Sequence, residues 1–312
     1  MSEIRRNSNG VVLVDAGDLL FKKSQGLLSE NDSKMFADKA LLIVQSFGLM
    51  GYDAIGVGDD DFNLGKEFLV EISKKATFPF LSSNLVDEES GRLLFQSHLV
   101  KEVNGLRVGI FSLISPGLFA PQGDPRKKGL IFRDLLETAR SVLAELQPKT
   151  DLIILLSHLG FAKESELARA VPGINLIVGS HTGINFVYPS IVNHAVILQT
   201  AAKGMTAGKL DLSLYNRDPS VYNTATRRST ENNLNSLNAL LKSERGTEAE
   251  RAQWTKAKQA AEQNLKQFQG KNEFTNAILP LGEQIKNHPE IAAMVESFRS
   301  KYPEAGKPDG SR

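Results

Sequence analysis

The 312-residue sequence contains no cysteine, no long apolar run and no excess of either charge. The lack of cysteine excludes disulfide bonds, thiolate metal ligands and cysteine nucleophiles. No segment approaches the roughly 20 apolar residues of a membrane-spanning helix, and the opening MSEIRRNSNG lacks the apolar core of a signal peptide. The 37 basic and 36 acidic residues give a net charge of +1, which offers no general attraction for nucleic acid. As it stands, the sequence predicts a soluble, cytoplasmic protein with neither membrane nor nucleic acid as partner.

Short apolar runs alternate with segments of helical periodicity through the first two thirds of the chain, which predicts the α/β class. The strand-like runs are VVLVD (11–15), YDAIGV (52–57), FPFLSSNLV (78–86), LVKEV and LRVGIFSLI (99–114), DLIILLS (151–157), INLIVG (174–179), HAVILQT (194–200) and AGKLDLSLY (207–215). The helical segments lie at about 33–49, 65–76, 130–147 and 162–171. Asn104-Gly105 supplies the two residues with positive φ that a type I′ hairpin turn requires. The sheet is therefore predicted to be mixed.

The composition becomes polar after Arg217, with no strand-like run until residue 270. Leucines recur at helical spacing between residues 234 and 241, and a second helical segment spans about 247–269 after a turn at Gly246. Together they predict an antiparallel helical hairpin. An extended piece, FTNAILPL (274–281), and a last helix that begins near Pro289 follow. We therefore expect one domain over residues 1–217 and a helical extension over 218–312, whose helices could contact a protein or domain partner.

Four predicted strands end directly in Asp or His. VLVDAGD places Asp15 and Asp18 after the first strand, AIGVGDDD places Asp59 after the second, and IILLSH and LIVGSH end in His158 and His181. In open α/β sheets, ligands bind outside the carboxyl ends of the strands, so these side chains can converge. Each alone is more often a cap, a turn former or a structural histidine. Together, two carboxylates and two imidazoles predict a site for a divalent metal such as Zn, Mn or Fe.

Six segments, taken in order, resemble the successive blocks of the 5′-nucleotidase branch of the calcineurin-like metallophosphoesterases. They are VVLVDAGDLL, GYDAIGVGDDDF, FPFLSSNLVDEESGRLLFQSHLVKEVNGLRVGIFSLIS, DLIILLSHLG, GINLIVGSHTG and ILQTAAKGMTAGKLDLSLY. The resemblance covers about residues 5–216 and implies a four-layer α-β-β-α sandwich of two mixed sheets. It also implies two divalent metals, with Zn, Mn, Fe or Mg as candidates, which activate a water for attack on a phosphate monoester. Small phosphorylated compounds, nucleotides among them, are the implied substrates.

The resemblance assigns metal-binding roles to four residues. Asp18 of the Gly-Asp motif matches the carboxylate that bridges both metals. Asp59 stands where the family usually has the Asn of a Gly-Asn-His-Asp/Glu motif, and an aspartate ligates at least as well. His158 and His181 match the two imidazole ligands of the second metal. That metal would have all four of its protein ligands, so the resemblance implies one well-formed site.

The departures from the family pattern concern the first metal and the proton chemistry. The upstream Asp-x-His motif is missing, and Gly183 occupies the place of the second His of Gly-His-x-His, so the first metal site is expected to be incomplete. Asp60 stands where the family has its catalytic His, and Asp61 matches the acidic residue that orients this His. We treat Asp60 and Asp61 as candidate catalytic residues. Asn84 matches an Asn near the site and is the candidate substrate-binding residue, with a turn role as the alternative.

Two functions are consistent with these residues. The first is a metal-dependent phosphoesterase resembling 5′-nucleotidases, and the second is a catalytically impaired or inactive metal-binding or scaffold domain of the same fold. The family's first strand and its motif are missing, so either the chain is N-terminally incomplete or the domain has diverged and needs neither; we expect the first. If an upstream signal peptide belongs to it, the resemblance implies a periplasmic or extracellular protein. Nothing after residue 218 resembles the nucleoside-clamping C-terminal domain of two-domain 5′-nucleotidases.

Overall fold

The structure is a computed structural model that describes residues 1–22, 30–120, 122–201, 204–216, 218, 220–243 and 245–303. The chain divides into two compact units, the first formed by Met1–Ala207 with Pro280–Arg312 and the second by Gly208–Leu279. The helices are α1 (Ser2–Asn7), α2 (Glu30–Met50), α3 (Gly65–Ser73), α4 (Leu135–Leu146), α5 (Phe161–Ala170), α6 (Thr224–Lys242), α7 (Glu248–Lys266) and α8 (Pro289–Lys301). None of the described helices has the length and apolar character that crossing a membrane requires.

The strands of the described residues number fourteen and form four sheets. They are β1 (Val14–Asp15), β2 (Ala54–Gly56), β3 (Phe80–Leu81), β4 (Leu85–Asp87), β5 (His98–Val103), β6 (Leu106–Ile114), β7 (Leu130–Phe132), β8 (Leu152–His158), β9 (Leu176–Gly179), β10 (Ser190–Val192), β11 (Ala195–Leu198), β12 (Thr206–Ser213), β13 (Val221–Asn223) and β14 (Asn272–Pro280). In the first unit, β1-β2-β3 is a parallel sheet, and the larger sheet has the order β10-β11-β9-β8-β6-β5. The larger sheet is parallel at its centre and antiparallel at both edges, as the predicted mixed sheet requires.

The first unit has four layers because each sheet buries one face against helices and the other against its partner sheet. The apolar sides of α2 and α3 pack on the smaller sheet, and those of α4 and α5 pack on the larger one. Between the sheets, β2 contacts β6 and β8. A Cβ at Gly56 would lie 2.7 Å from Ser112 Oγ, so the absence of a side chain at Gly56 permits this close approach. The four-layer sandwich is thus present, and the larger of its two sheets is mixed, whereas the described strands of the smaller sheet are parallel.

The hairpin turn at Asn104-Gly105 is confirmed. Asn104 has φ of 51° and Gly105 has φ of 79°, and Val103 pairs with Leu106 across the two-residue loop. Both positive φ values are those of a type I′ turn, whose twist matches that of the flanking strands.

The predicted helix at 130–147 begins five residues later than expected. Leu130–Phe132 forms β7, which pairs with β4, and α4 starts at Leu135. Asp134 caps this helix by accepting a hydrogen bond from the Glu137 backbone N–H. The apolar residues of β7 fit helical spacing in the sequence, but their backbone groups are paired in a sheet.

The C-terminal helix belongs to the first unit, whereas the predicted extension grouped it with the helical hairpin. Helix α8 packs against α2, where Asp38 accepts hydrogen bonds from Tyr302 Oη at 2.7 Å and Lys301 Nζ at 2.5 Å. The structure divides the chain at residue 207, near the predicted boundary at Arg217, which itself lies outside the described residues. The last segment therefore returns to the layer of α2 because its helix has partners there.

The second unit consists mainly of the predicted helical hairpin and a three-stranded sheet of order β12-β14-β13. Thr247 and Glu250 form a reciprocal capping box at the start of α7. Arg251 closes the hairpin by donating to the backbone carbonyls of Leu241 and Ser243. The short strand β13 lies in a segment for which the sequence predicted no strand.

Candidate metal centre

The four predicted metal ligands lie together at the carboxyl ends of parallel strands. Asp18 and Asp59 follow the neighbouring strands β1 and β2, while His158 ends β8 and His181 follows β9. Because β2 also contacts β8 across the sandwich, the two pairs of loops meet at one edge. One ligand atom from each of the four residues lies within 4.8 Å of all the others. The structure thus brings together residues that are up to 163 positions apart in the sequence.

The nitrogen and oxygen atoms of this cluster face one another at short distances. His158 Nε2 lies 3.1 Å from Asp18 Oδ2 and 3.2 Å from Asp59 Oδ1. His181 Nδ1 lies 3.4 Å from the same Asp59 oxygen and 4.0 Å from the same Asp18 oxygen. Each aspartate therefore directs one oxygen into the cluster. Asp59 and His158 are buried, whereas His181 is the most exposed member and leaves the centre open on its side.

The tautomer of His158 follows from its hydrogen bonds. Its Nδ1 lies 3.0 Å from the Ala16 carbonyl oxygen and 2.6 Å from Ser180 Oγ. Because the carbonyl can only accept, Nδ1 carries a proton, and Nε2 is the nitrogen that faces the cluster and can bind a metal once its own proton is displaced. An imidazole fixed by a carbonyl on the far side is the usual arrangement of a metal-binding histidine.

Asp61 holds the loop that carries Asp18. Its Oδ1 accepts hydrogen bonds from the backbone N–H groups of Leu19 and Leu20, and its Oδ2 accepts from those of Asp18 and Gly58. Asp18 has φ of 60°, a conformation that non-glycine residues seldom adopt, so these bonds offset local strain. The histidine that Asp61 would orient is replaced by Asp60, and Asp61 instead accepts from four backbone donors. A catalytic role for Asp61 stays a prediction.

Burial dominates the electrostatics of Asp61. It raises the pKa of this carboxyl to about 7, with the charge of Asp18 acting in the same direction and the bonds from Gly58 and Leu20 opposing it. A neutral carboxyl cannot accept four N–H bonds equally well, so the loop geometry depends on the ionised form.

Asp60 forms an ion pair with Arg126, a residue that sequence analysis missed. Arg126 Nη1 lies 2.7 Å from Asp60 Oδ1 and 3.2 Å from Asp59 Oδ2. One guanidinium therefore lies between two adjacent carboxylates that would otherwise repel each other. The only sequence signal was the turn motif Asp-Pro-Arg, which carries no indication of a partner 66 positions away. Catalysis by Asp60 likewise stays a prediction.

Asn84, the candidate substrate-binding residue, is fully buried. Its Nδ2 donates to the Ile114 carbonyl at 2.8 Å, and its Oδ1 accepts from the Ile114 backbone N–H at 3.0 Å. Both polar atoms of the side chain thus join the loop before β4 to the end of β6. These bonds give Asn84 a structural role, and contact with a substrate stays a prediction.

The charges of the cluster suit a divalent cation. Burial would raise the pKa of Asp59, but the hydrogen bonds from His158 and His181 outweigh it and hold that pKa well below its usual range. Burial would lower the pKa of His158, but its bonds to Asp18 and Asp59 raise it to about 10. A site that attracts a proton so strongly onto His158 also attracts a metal ion, which displaces that proton. The donor set and its spacing therefore fit a divalent metal.

A buried polar network lies beneath the two histidine loops. Glu164 on α5 accepts from Ser157 Oγ at 3.0 Å and from Gln199 Nε2 at 2.7 Å. Gln199 Oε1 in turn accepts from Thr182 Oγ1 at 2.6 Å. Since Ser157 precedes His158 and Thr182 follows His181, the network connects both loops. A Cβ at Gly179 would lie 2.4 Å from Glu164 Oε1, so the absence of a side chain there makes room for the network.

A scan against protein-family models finds no match. A 5′-nucleotidase of Vibrio cholerae is 28% identical over 247 residues, which covers 69% of this chain and 43% of that protein. A solved 5′-nucleotidase precursor of Thermus thermophilus is 27% identical with a TM-score of 0.57, covering 70% of this chain and 45% of that one. The calcineurin-like phosphoesterase YfkN of Bacillus subtilis, at 18% identity and a TM-score of 0.64, covers 96% of this chain and 86% of that one.

The chain spans less than half the length of the curated relatives that it matches. Within that span, the sequence relatives and the solved structures both include 5′-nucleotidases. By sequence the chain is similar to 5′-nucleotidases, and it shares its fold with a calcineurin-like phosphoesterase.

Proposed function

We propose that this chain hydrolyses phosphate monoesters at the cluster of Asp18, Asp59, His158 and His181. The observation that carries the proposal is the convergence of two carboxylates and two imidazoles at the shared edge of two sheets. Relatives described as 5′-nucleotidases and as a trifunctional nucleotide phosphoesterase support small phosphorylated substrates, with nucleotides as the first class to test.

The chain's own residues hold and orient the reacting groups. A divalent cation bound here would lower the pKa of a coordinated water and neutralise charge that develops on phosphoryl oxygens. Asp18 and Asp59 supply one oxygen each, and the Ala16 carbonyl fixes the ring of His158. Asp61 keeps Asp18 in its strained conformation. The exposed side of His181 leaves the centre accessible to a substrate.

Proton donation to the leaving group is the weakest step of the proposed reaction, because Asp60 stands in the place of the general acid. Its carboxylate accepts a hydrogen bond from Arg126, and a carboxylate in that state has no proton to give. Loss of a general acid typically reduces rate by about 10² to 10⁴. We therefore expect esters with good leaving groups, such as p-nitrophenyl phosphate, to react much faster than nucleoside 5′-monophosphates.

The test combines metal analysis with activity. We expect the purified chain to bind Mn²⁺ or Zn²⁺ and to hydrolyse p-nitrophenyl phosphate only with metal. Asp59→Ala and His181→Ala should lose both metal and activity, whereas Glu166→Gln, at an exposed position of α5, should lose neither. Asp60→His should raise the rate for nucleotides more than that for the aryl ester.

The scaffold alternative makes the opposite prediction. A stably bound metal with no turnover of either ester, unchanged by Asp60→His, would contradict the phosphoesterase proposal. It would leave a metal-binding domain whose role is structural.

A further inference from the structure

Arg126 contacts the side of the metal centre that faces away from the histidines. Its Nη1 donates to Asp60 Oδ1 at 2.7 Å, to Asp59 Oδ2 at 3.2 Å and to the Asp59 carbonyl at 3.4 Å. The side chain is only 17% exposed. Arg126 is therefore a largely buried cation beside a predicted metal ligand.

The guanidinium is held in place by its own segment. Asp124 accepts from Arg126 Nε at 3.0 Å and from Nη2 at 2.8 Å, and it also accepts from the Ala120 backbone N–H. The bond from Arg126 holds the pKa of Asp124 at about 2, below its usual range. The guanidinium carbon lies 5.3 Å from the centroid of the Phe119 ring, which adds a cation–π contact. This bidentate support fixes the direction of Nη1.

The two oxygens of Asp59 consequently face different partners. Oδ1 lies 3.2 Å from His158 Nε2 and 3.4 Å from His181 Nδ1, whereas Oδ2 bonds to Arg126. A carboxylate can bind a metal through one oxygen or through both. Arg126 keeps Oδ2 occupied, and it keeps Oδ1 of the neighbouring Asp60 occupied as well.

We propose that Arg126 restricts the number of carboxylate oxygens available to the metal, so that the centre favours a cation of low coordination number such as Zn²⁺ over cations that take six ligands. Mn²⁺ and Mg²⁺ prefer six ligands, mostly oxygens, and gain most from bidentate or additional carboxylates. This inference rests on the metal centre of the proposed function but not on hydrolysis.

The test uses Co²⁺ as a spectroscopic probe of coordination. Four-coordinate Co²⁺ absorbs visible light far more strongly than six-coordinate Co²⁺, so the parent chain should give an intense spectrum. Arg126→Met should weaken the absorption and raise the affinity for Mn²⁺ relative to Zn²⁺ by about tenfold, the lower range of effects for groups that orient metal ligands. Arg133→Met, at an exposed arginine nearby, should match the parent.

A second variant protects the test against misfolding. Asp124→Asn keeps the Arg126 side chain but weakens its anchor, so it should shift the spectrum and the metal preference in the same direction by a smaller factor. If Arg126→Met does not fold, the spectrum and the metal preference of Asp124→Asn decide whether the inference holds.

Three results would overturn the inference. They are a weak, six-coordinate spectrum in the parent, an unchanged spectrum and metal preference in the variants, or complete loss of Co²⁺ from folded Arg126→Met. A parent chain that binds no metal would overturn the proposed function as well. Unchanged variants of a metal-binding parent would overturn this inference alone.

Discussion

Three adjacent aspartates have three different sets of partners at this centre. Asp59 faces the histidines, Asp60 pairs with Arg126, and Asp61 accepts from the backbone of the Asp18 loop. Adjacent carboxylates are tolerated because a cation or a set of N–H donors lies beside each of them. The three carboxylates are therefore adjacent because each of them has its own partners in the structure.

Replacing Asp61 tests the backbone role directly. Asn has the same shape, but its amide group would face two of the four N–H donors, which would then lack acceptors. We expect Asp61→Asn to lower the free energy of unfolding by about 2 to 6 kcal/mol, since each of the two unsatisfied buried donors costs about 1 to 3 kcal/mol. Urea denaturation measures the free energy of unfolding.

Asp134→Asn is the matched control for that variant, because Asn caps a helix as well as Asp does. It should change stability by less than about 0.5 kcal/mol. Equal effects of the two substitutions would contradict the assigned role of Asp61.

Gly58 provides the space in which the metal ligands meet. A Cβ there would lie 2.3 Å from Asp18 Oδ1 and 2.7 Å from His158 Cε1. We expect Gly58→Ala to reduce metal affinity by about 10- to 100-fold, because both ligands must move. Isothermal titration with Mn²⁺ measures the affinity. Gly91→Ala, where an added Cβ meets nothing within 4 Å, should leave the metal affinity unchanged. Retained metal affinity in Gly58→Ala would count against the role of Gly58.

From the sequence, residues at strand ends could be expected to lie close together, whereas residues within irregular loops carried no such indication. Asp18, Asp59, His158 and His181 could be predicted because strand ends converge at one edge of an α/β sheet. Arg126 lies in a segment of turns whose path has no periodic signal, so its ion pair with Asp60 emerges only from the folded chain.

At the scale of elements, the sequence predicted the helices, strands and hairpins that have a local sequence signal. The Asn104-Gly105 hairpin and the helical hairpin of the second unit are present because turn residues and apolar spacing specify them. The short strands β7, β10 and β13 were missed. Each has three residues, too few for a periodicity, and pairing with another strand defines each of them.

Helix α8 depends on partners in α2 that its own sequence does not reveal. Asp38 accepts from both Lys301 and Tyr302 at the end of α8. We expect Asp38→Ala to increase amide hydrogen exchange in α8 by about two- to fivefold, because partly exposed ion pairs make small contributions. Glu296→Ala, at an exposed position in the middle of the same helix, should have no such effect. Equal exchange in α8 of Asp38→Ala and the parent would contradict this anchoring.

At the scale of the whole molecule, the metal centre depends on burial around it as much as on its ligands. Glu164 has no exposed surface, and it links the loops of both histidines through Ser157, Gln199 and Thr182. Burial raises its pKa to about 7, while the bonds from Gln199 and Ser157 oppose that rise. Ionising Glu164 therefore costs free energy in the folded chain, and this cost lowers the stability of the fold.

The pH dependence of unfolding measures that cost. Because the folded pKa of Glu164 lies above its ordinary value of 4.5, its stabilising contribution is complete below about pH 4.5 and is lost as the pH rises through 7. We expect the parent to lose about 3 kcal/mol relative to Glu164→Gln between pH 4.5 and pH 8, as a shift of roughly 2.5 units implies. Denaturation at fixed metal concentration measures both profiles. Glu166→Gln, an exposed change on the same helix, should have the same profile of stability against pH as the parent. If Glu164→Gln also has the profile of the parent, Glu164 is not responsible for the effect.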